Sequence, residues 1–273
     1  MGGCPRSLHR PKLNLTDERE KALTVIITGA GAGIGAATAR AFAAAGHSVA
    51  VADIDVEAAR GVAETLESAA AYELDVRSRA SIESACTQAV SDLGPLEVFV
   101  SSAGVSTMAH FLDLTDEEID WNLDVNLRGA LIGGQVAARQ LVSQGVGGAI
   151  VNVASMAGKR GGVPLLAHYI AAKFGVVGLT QAMACELAPH DIRVNSVCPG
   201  YVDTGMQDRE IGWEAELLGL TREQVIANHR ADTPQRRDQT PEEVAALILF
   251  LASDSAASIT GESVAINGGS YMD

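Results

Sequence analysis

The stretch TVIITGAGAGIGAATARAFAAAG, residues 24–46, sets the fold class. A β-branched run, Thr24 to Thr28, leads into glycine at every second position, Gly29, Gly31, Gly33 and Gly35, and then into an alanine-rich helical stretch. Glycine costs chain entropy, so such a string marks backbone that must approach something closely. A phosphate-bearing ligand is one candidate and tight strand–helix packing is the other. A strand before the glycines and a helix after them is the context a dinucleotide-binding turn requires. The pattern G-x-G-x-x-G/A fits only in the frame Gly31, Gly33, Ala36, a weak match by itself. About 20 residues on, Asp53 ends the run SVAVAD, where a carboxylate can accept the adenosine ribose hydroxyls. The same carboxylate repels a 2′-phosphate, no Lys or Arg lies within 29–35, and residue 54 is Ile. The expected cofactor is therefore NAD rather than NADP.

On both sides of this stretch, short β-rich runs alternate with helical patterns. The expected strands are 24–28, 48–52, 69–74, 96–100, 149–155, 192–197 and 263–267, several apolar almost throughout, as parallel strands covered on both faces are. Helical stretches lie near 33–45, 55–67, 78–92, 116–143, 166–188 and 241–252. This alternation predicts right-handed βαβ units and an α/β fold, a doubly wound (Rossmann-type) parallel sheet of about seven strands. No linker divides residues 23–273, which read as a single dinucleotide-binding and catalytic domain. The one long break, 203–240, is read as a helical lid over the carboxyl ends of the strands, because long excursions in compact domains are usually functional.

The 273 residues are 47% hydrophobic and 20% charged, with a net charge of −14. That supports a sizeable core, and the lack of a basic cluster argues against nucleic acid as a partner. Cys4, Cys86, Cys185 and Cys198 have no C-x-x-C spacing and no His cluster beside them, so neither a zinc site nor a redox motif is expected, and no metal. Residues 1–22 lack the apolar core of a secretory signal and carry Arg6 where myristoylation needs Ser or Thr. They are read as a disordered leader. No apolar run comes near the ~18 residues of a membrane span, and the reading is a soluble, cytoplasmic protein without a membrane partner.

Tyr169 and Lys173, in LAHYIAAK, share one helix face a turn apart. A Tyr–Lys pair is usually surface decoration, but this helix is otherwise apolar and small, and a buried Lys is costly unless used. Ser155 ends the preceding strand and can meet that helix across the cleft.

With these residues in place the chain closely resembles the short-chain dehydrogenase/reductase family over about residues 23–273. Thr28, Gly29, Gly33 and Gly35 match T-G-x-x-x-G-x-G. Tyr169 and Lys173 match Y-x-x-x-K, with Ser155 fourteen residues before the Tyr. Asn126 in LDVNLRG matches the family's Asn, and Asp75 in ELDV the Asp that faces adenine. Pro199, Gly200, Val202 and Thr204 match P-G-x-V-x-T. One departure is SSAG, Ser101 to Gly104, where the family has N-N-A-G. Ala103 and Gly104 keep the close approach to adenosine, while Ser102 removes an Asn that usually bonds between strands.

The resemblance implies cofactor contacts from Gly29, Gly33, Ile34, Gly35, Asp53, Asp75 and Val76. It adds Ala103, Gly104, Tyr169, Lys173, Pro199, Gly200, Val202 and Thr204. It implies that Tyr169 is the general base in alcohol oxidation, Ser155 orients the substrate oxygen, Lys173 holds the nicotinamide ribose, and Asn126 holds a water that links Lys173 to solvent. A neighbouring ammonium at ~4 Å, about 4 kcal/mol at an effective dielectric near 20, is expected to lower the phenol's pKa by roughly three units. It further implies a homotetramer built on the long helix 116–143, in which Gly133 and Gly134 permit close contact, and on the helix carrying Tyr169. Whether Lys159, Arg160, His168 or Trp213 touch substrate is left open; His168 is read as a packing or interface residue and Lys159 and Arg160 as a solvated pair.

The expected substrate is a small alcohol or ketone, a polyol or related vicinal hydroxy compound oxidised at a secondary carbon. AGVSTM (103–108) and the lid MQDREIGWEAELLG look like polyol dehydrogenases of the sorbitol or galactitol type, and Ser106, Thr107, Ser155, Gln207, Asp208, Arg209 and Glu210 offer hydrogen bonds that an apolar substrate would leave unmet. The alternatives are an NADPH-dependent 3-oxoacyl reductase, a hydroxysteroid or terpene-alcohol dehydrogenase, and a non-enzymatic dinucleotide sensor.

Overall fold

The computed structural model describes residues 24–272, so the leader 1–22 and Cys4 lie outside the described residues. Seven strands, β1 (Thr24–Thr28), β2 (Ser48–Asp53), β3 (Ala69–Glu73), β4 (Leu96–Ser101), β5 (Gly148–Val153), β6 (Ile192–Pro199) and β7 (Ser263–Ile266), form one sheet in the order β3-β2-β1-β4-β5-β6-β7. Every pairing is parallel. The order reverses between β1 and β4, where Thr28 lies beside Ser101, and this switch point opens a crevice at the carboxyl edge.

Alternation along the strands divides the core in two. Val25, Ile27, Val49, Val51, Val98, Val100 and Val151 face α1 (Gly33–Ala44), α2 (Val56–Ala63) and α9 (Pro241–Ala252), meeting Phe42, Val62 and Ile248. Ile26, Ala50, Phe99 and Ile150 face the other way, onto α3 (Arg79–Leu93) and α5 (Gly129–Gln144), meeting Ile82 and Leu141. The apolar run of each strand is thus used on both faces, as a doubly wound sheet demands.

Most strands shift by one or two residues from the sequence reading, and β5 stops at Val153, so Ser155 does not end the strand but caps the Met156–Gly158 turn; two helical stretches differ more. Helix 55–67 shrinks to Val56–Ala63, started by the Asp55 carboxylate accepting from the Ala58 N–H at 3.1 Å. The stretch 116–143 is not one regular helix. A Thr115–Glu118 capping box starts α4 (Asp116–Leu123), and a wide turn at Asp124–Arg128, in which the Gly129 N–H reaches back to the Asp124 carbonyl, joins it to α5. Such π-turns recur at functional sites, and this one carries Asn126. Gly133 faces Phe99 of the sheet and Gly134 faces Met183 of the neighbouring helix.

That neighbour, α6 (Ala167–Leu187), carries Tyr169 and Lys173. Carried on to His190 it reaches a mean hydropathy of 1.2, enough by length and composition to cross a bilayer, which the sequence reading did not anticipate. Here it packs along β6, α4 and the Met156–Gly158 turn. The 203–240 excursion folds as two helices, α7 (Gly205–Leu218) and α8 (Arg222–Asp232), separated at Gly219 in the left-handed region (φ 65°).

Candidate active site

The glycine turn answers the question its sequence raised by serving both purposes. A Cβ on Gly29 would lie 2.6 Å from the Ala103 Cα, and one on Gly35 would lie 2.1 Å from the Gly29 carbonyl oxygen. Those two glycines let backbone cross backbone. Gly33 differs: its φ is 51°, and its nearest neighbour is the Thr204 methyl at 3.4 Å, so it opens onto the crevice. The helix that follows starts at Ala32 with no side-chain cap and no acidic residue in its first turn. Its free N–H groups and positive dipole end therefore point into the crevice, an arrangement suited to a pyrophosphate.

Asp53 stands at the end of β2 with both carboxylate oxygens held by backbone, Oδ2 by the Gly31 N–H at 2.9 Å and Oδ1 by the Asp55 N–H at 3.0 Å. This fixes a negative charge beside the turn. Asp75 lies just past β3, and Arg77 grips its carboxylate through Nε and Nη2 (3.0 and 2.7 Å), which holds Asp75 below the usual carboxylate range. Val76 is buried against Gly129. The SSAG departure is covered from β1: the buried Thr28 hydroxyl accepts from the N–H groups of Ser102 and Ala103 at 3.1 and 3.2 Å.

Asn126, Ser155, Tyr169 and Lys173 meet around one cavity of about 360 Å³ at the carboxyl ends of β4, β5 and β6, with Ile34, Gly104, Pro199, Gly200, Val202 and Thr204 on its wall. The Ser155 hydroxyl accepts from the Ala157 N–H at 3.1 Å and also bonds the Tyr169 phenol, which favours the ionised phenol. Lys173, 4% exposed, donates to the Val153 carbonyl at 3.0 Å and sits 5.5 Å from the centre of the Tyr169 ring. The Cβ position of Gly104 lies 3.1 Å from Asn126 Oδ1 and 3.7 Å from Lys173 Nζ, so a side chain there would part these two groups. Gly200 is demanded by packing, since a Cβ would lie 2.7 Å from Gln239 Oε1 and 2.9 Å from the Asn267 Cα. Thr204 caps α7 by accepting from the Gln207 N–H at 3.3 Å.

The electrostatics correct one expectation. Burial pushes Tyr169 above its ordinary value, the Glu210 carboxylate pushes it further, and the Ser155 bond only partly offsets them. Burial also pushes Lys173 down, to about 8. The expected lowering of the phenol by the ammonium is not found, because burial, which opposes the charged form of each group, is the largest influence on both. Glu210 is itself raised by burial.

The lid supplies different residues from those its sequence suggested. Gln207 and Glu210 line the cavity. Asp208 and Arg209 are exposed, and Asp208 pairs with Arg222 of α8. Ser106 and Thr107 lie behind the wall, and so does His168; Lys159 and Trp213 are not on it. Arg160 is on it, with Asp232 accepting from its Nη1 at 2.8 Å. Sequence reading missed a cluster at the lid's base: Tyr201 stacks on His229 at 4.1 Å and 11°, and His229 meets Glu214 at 2.9 Å and Gln207 at 3.1 Å. Met108, Met156, Met206 and Leu218 add apolar surface to the wall.

A family profile described as enoyl-(acyl carrier protein) reductase matches residues 29–271. The chain is 44% identical over 203 residues to a Streptomyces virginiae protein named for ketoacyl reduction in the monensin polyketide synthase, spanning 72% of this chain and 75% of that one. It is 35% identical over 250 residues to a sorbitol dehydrogenase of Cereibacter sphaeroides, spanning 91% and 97%. A solved short-chain type dehydrogenase/reductase from Mycobacterium marinum has the same fold at a TM-score of 0.84 and 36% identity, covering 93% of this chain and 97% of that one.

Proposed function

The chain belongs to the short-chain dehydrogenase/reductase family, an oxidoreductase fold that takes a nicotinamide dinucleotide and interconverts alcohols and ketones, and within that family we propose an NAD-dependent dehydrogenase of a polyol or vicinal diol. The observation that carries it is the convergence of Asn126, Ser155, Tyr169 and Lys173 on one cavity that also meets the glycine turn.

The cofactor site fits from the residues present. The uncapped start of α1, with Gly33, Ile34 and Gly35, would hold the pyrophosphate, and Asp53 would accept from the adenosine ribose hydroxyls. Gly29, Asp75, Val76, Ala103 and Gly104 border the adenosine half, and Pro199, Gly200, Val202 and Thr204 the nicotinamide half. NAD, when bound, supplies the hydride-accepting carbon and a positive ring charge beside the phenol.

Ser155 donates to the substrate oxygen and fixes its distance from Tyr169. Tyr169, as phenolate, accepts the hydroxyl proton, and as phenol it returns a proton in ketone reduction. Lys173 holds the nicotinamide ribose hydroxyls, and Asn126 holds a water through which Lys173 exchanges its proton with solvent. The fixed charge of Asp53 beside the turn favours NAD over NADP.

Glu210 on the wall supports a substrate with a second hydroxyl to donate, since burial already raises this carboxyl and its charged form gains from a donor that an apolar substrate lacks. The 44% identity to a protein named for ketoacyl reduction supports a second reading, a 3-oxoacyl reductase. The assembly is proposed to be a homotetramer through α5 and α6, whose outer faces expose Leu131, Val142 and Phe174, and the compartment is proposed to be the cytoplasm.

The test is kcat/KM for sorbitol, galactitol and butane-2,3-diol with NAD, against cyclohexanol, a hydroxysteroid and a 3-oxoacyl thioester with NADPH. The polyols or the diol should lead. A tenfold preference for one of the others, about 1.4 kcal/mol of transition-state discrimination, overturns the substrate class.

A further inference from the structure

Behind the cavity wall, a line of buried and half-buried side chains leads away from Asn126. Asn126 Nδ2 donates to Asn122 Oδ1 at 3.2 Å, and Asn122 Nδ2 donates to Thr107 Oγ1 at 3.2 Å. Thr107 Oγ1 lies 2.6 Å from Nε2 of His168, the residue before Tyr169. Asn122 is fully buried, and Asn126 and His168 are 2% and 5% exposed. The other ring nitrogen of His168, Nδ1, is buried without a hydrogen-bond partner among the described residues. None of Asn122, Thr107 and His168 lines the cavity.

The direction of each bond follows from the partners. Asn126 Oδ1 accepts from the Val105 N–H at 3.1 Å and its Nδ2 also donates to the Val105 carbonyl at 2.8 Å, so its amide has one orientation. Asn122 Nδ2 spends its second hydrogen on the Glu118 carbonyl at 3.2 Å, so Asn122 has one orientation too. Thr107 Oγ1 therefore accepts from Asn122, and its own hydrogen goes to His168 Nε2. That requires a neutral imidazole protonated at Nδ1, which leaves one unmet donor. The opposite tautomer sends a second N–H into Thr107, leaving the hydroxyl hydrogen without an acceptor and Nδ1 without a donor. Burial, which pushes His168 down against the opposing pull of Glu118, favours the same neutral form.

We propose that His168 is a positioning residue: its neutral ring, accepting at Nε2, orders Thr107 and Asn122 and so holds the Asn126 amide in the π-turn beside Gly104 and Lys173. Without Asn122, the Asn126 amide would keep only its two bonds to Val105. The inference rests on the dehydrogenase reading for its kinetic consequence, but not for the tautomer.

The experiment compares His168→Phe, Thr107→Val, their double variant and Thr107→Ser in the full chain. His168→Phe and Thr107→Val should each lower kcat at least tenfold with KM for NAD within twofold of wild type. The double variant should be no slower than the slower single, because both break one chain. Thr107→Ser, which keeps the hydroxyl, should return kcat to within threefold. In ¹⁵N-labelled wild type, His168 should be the Nδ1–H tautomer. Wild-type kcat in both single variants, multiplicative losses in the double, or an Nε2–H tautomer overturns the proposal. If His168→Phe does not fold, the Thr107→Val and Thr107→Ser pair decides it. If wild type oxidises no alcohol, the dehydrogenase reading fails by itself and the tautomer decides this one.

Discussion

The turn after β1 and the lid of α7 and α8 face each other across the cavity, and they are built by opposite means. In the turn, backbone meets backbone: Gly29 passes Ala103 and Gly35 passes the Gly29 carbonyl with no room for a methyl group. In the lid, side chain meets side chain: His229 with Glu214, Gln207 and Tyr201, and Asp208 with Arg222. A backbone crossing admits one residue type and leaves its mark in the sequence. A side-chain pairing can be made by many combinations and leaves almost none.

If the turn is as rigid as this contrast requires, the largest effect of any single change should fall there. Gly35→Ala places a methyl group 2.1 Å from a carbonyl oxygen with backbone on both sides. We expect a loss of several kcal/mol and little folded protein, typical of overpacking where nothing can yield. A Gly35→Ala protein with wild-type melting temperature and NAD affinity would show the turn to be pliant.

Between the two regions stands Lys173. Its pKa falls from 10.5, the ordinary lysine value, to about 8 on folding, so between those limits the unfolded chain binds more protons and wild-type stability rises with pH. Below about pH 8 the full burden of burying the ammonium remains. Lys173→Met should therefore stabilise the protein at pH 7 by on the order of 1–3 kcal/mol while abolishing turnover. Thermal melts at pH 7 and pH 10 check it: the variant's advantage should shrink at the higher pH, and a variant less stable at pH 7 contradicts the pKa direction.

Asp53→Ala removes a fixed charge and ribose acceptors worth about 1.5–3 kcal/mol, so the ratio of NADP to NAD dissociation constants should fall by tenfold or more. An unchanged ratio would place cofactor choice elsewhere.

The smallest effect belongs to the lid. The Glu210 charge holds the Tyr169 phenol up, so Glu210→Gln should move the acid limb of the kcat/KM profile to lower pH, by about half to one unit for a charge so placed. A limb that moves to higher pH, or stays, would remove Glu210 from the phenol's surroundings.

The difference between backbone crossings and side-chain pairings also explains what was legible in advance. All seven strands, and their alternation with helices as βαβ units, were legible from β-rich runs such as TVIIT and IRVNSV, while the order of the strands in the sheet comes from the structure. The motif residues come to one cavity from three places in the fold, Asn126 from the π-turn, Ser155 from the turn that follows β5, and Tyr169 and Lys173 from α6. The π-turn at Asp124–Arg128 was not legible, because the residues around it continue the pattern read as one helix over 116–143, and the partners of Asn126 belong to the assembled fold. Asp208 and Arg209, expected to face substrate, point outward to α8 and solvent, since helical phase in a lid depends on what packs beneath it. The Tyr169 shift runs opposite to the sequence expectation for a related reason. A sequence places a lysine near a tyrosine, but burial, which opposes both charges, belongs to the assembled fold.

In the proposed mechanism Tyr169 transfers the proton, while the glycine turn and Asp53 hold NAD independently of it. Tyr169→Phe beside wild type separates the two roles directly, with NAD affinity from titration and turnover from reduced-cofactor absorbance on the best diol substrate. NAD affinity should stay within about threefold of wild type and kcat should fall by about 10³ or more, since only the transferable proton is lost. A variant that keeps near wild-type kcat, or loses NAD binding in step with turnover, would contradict this division of roles.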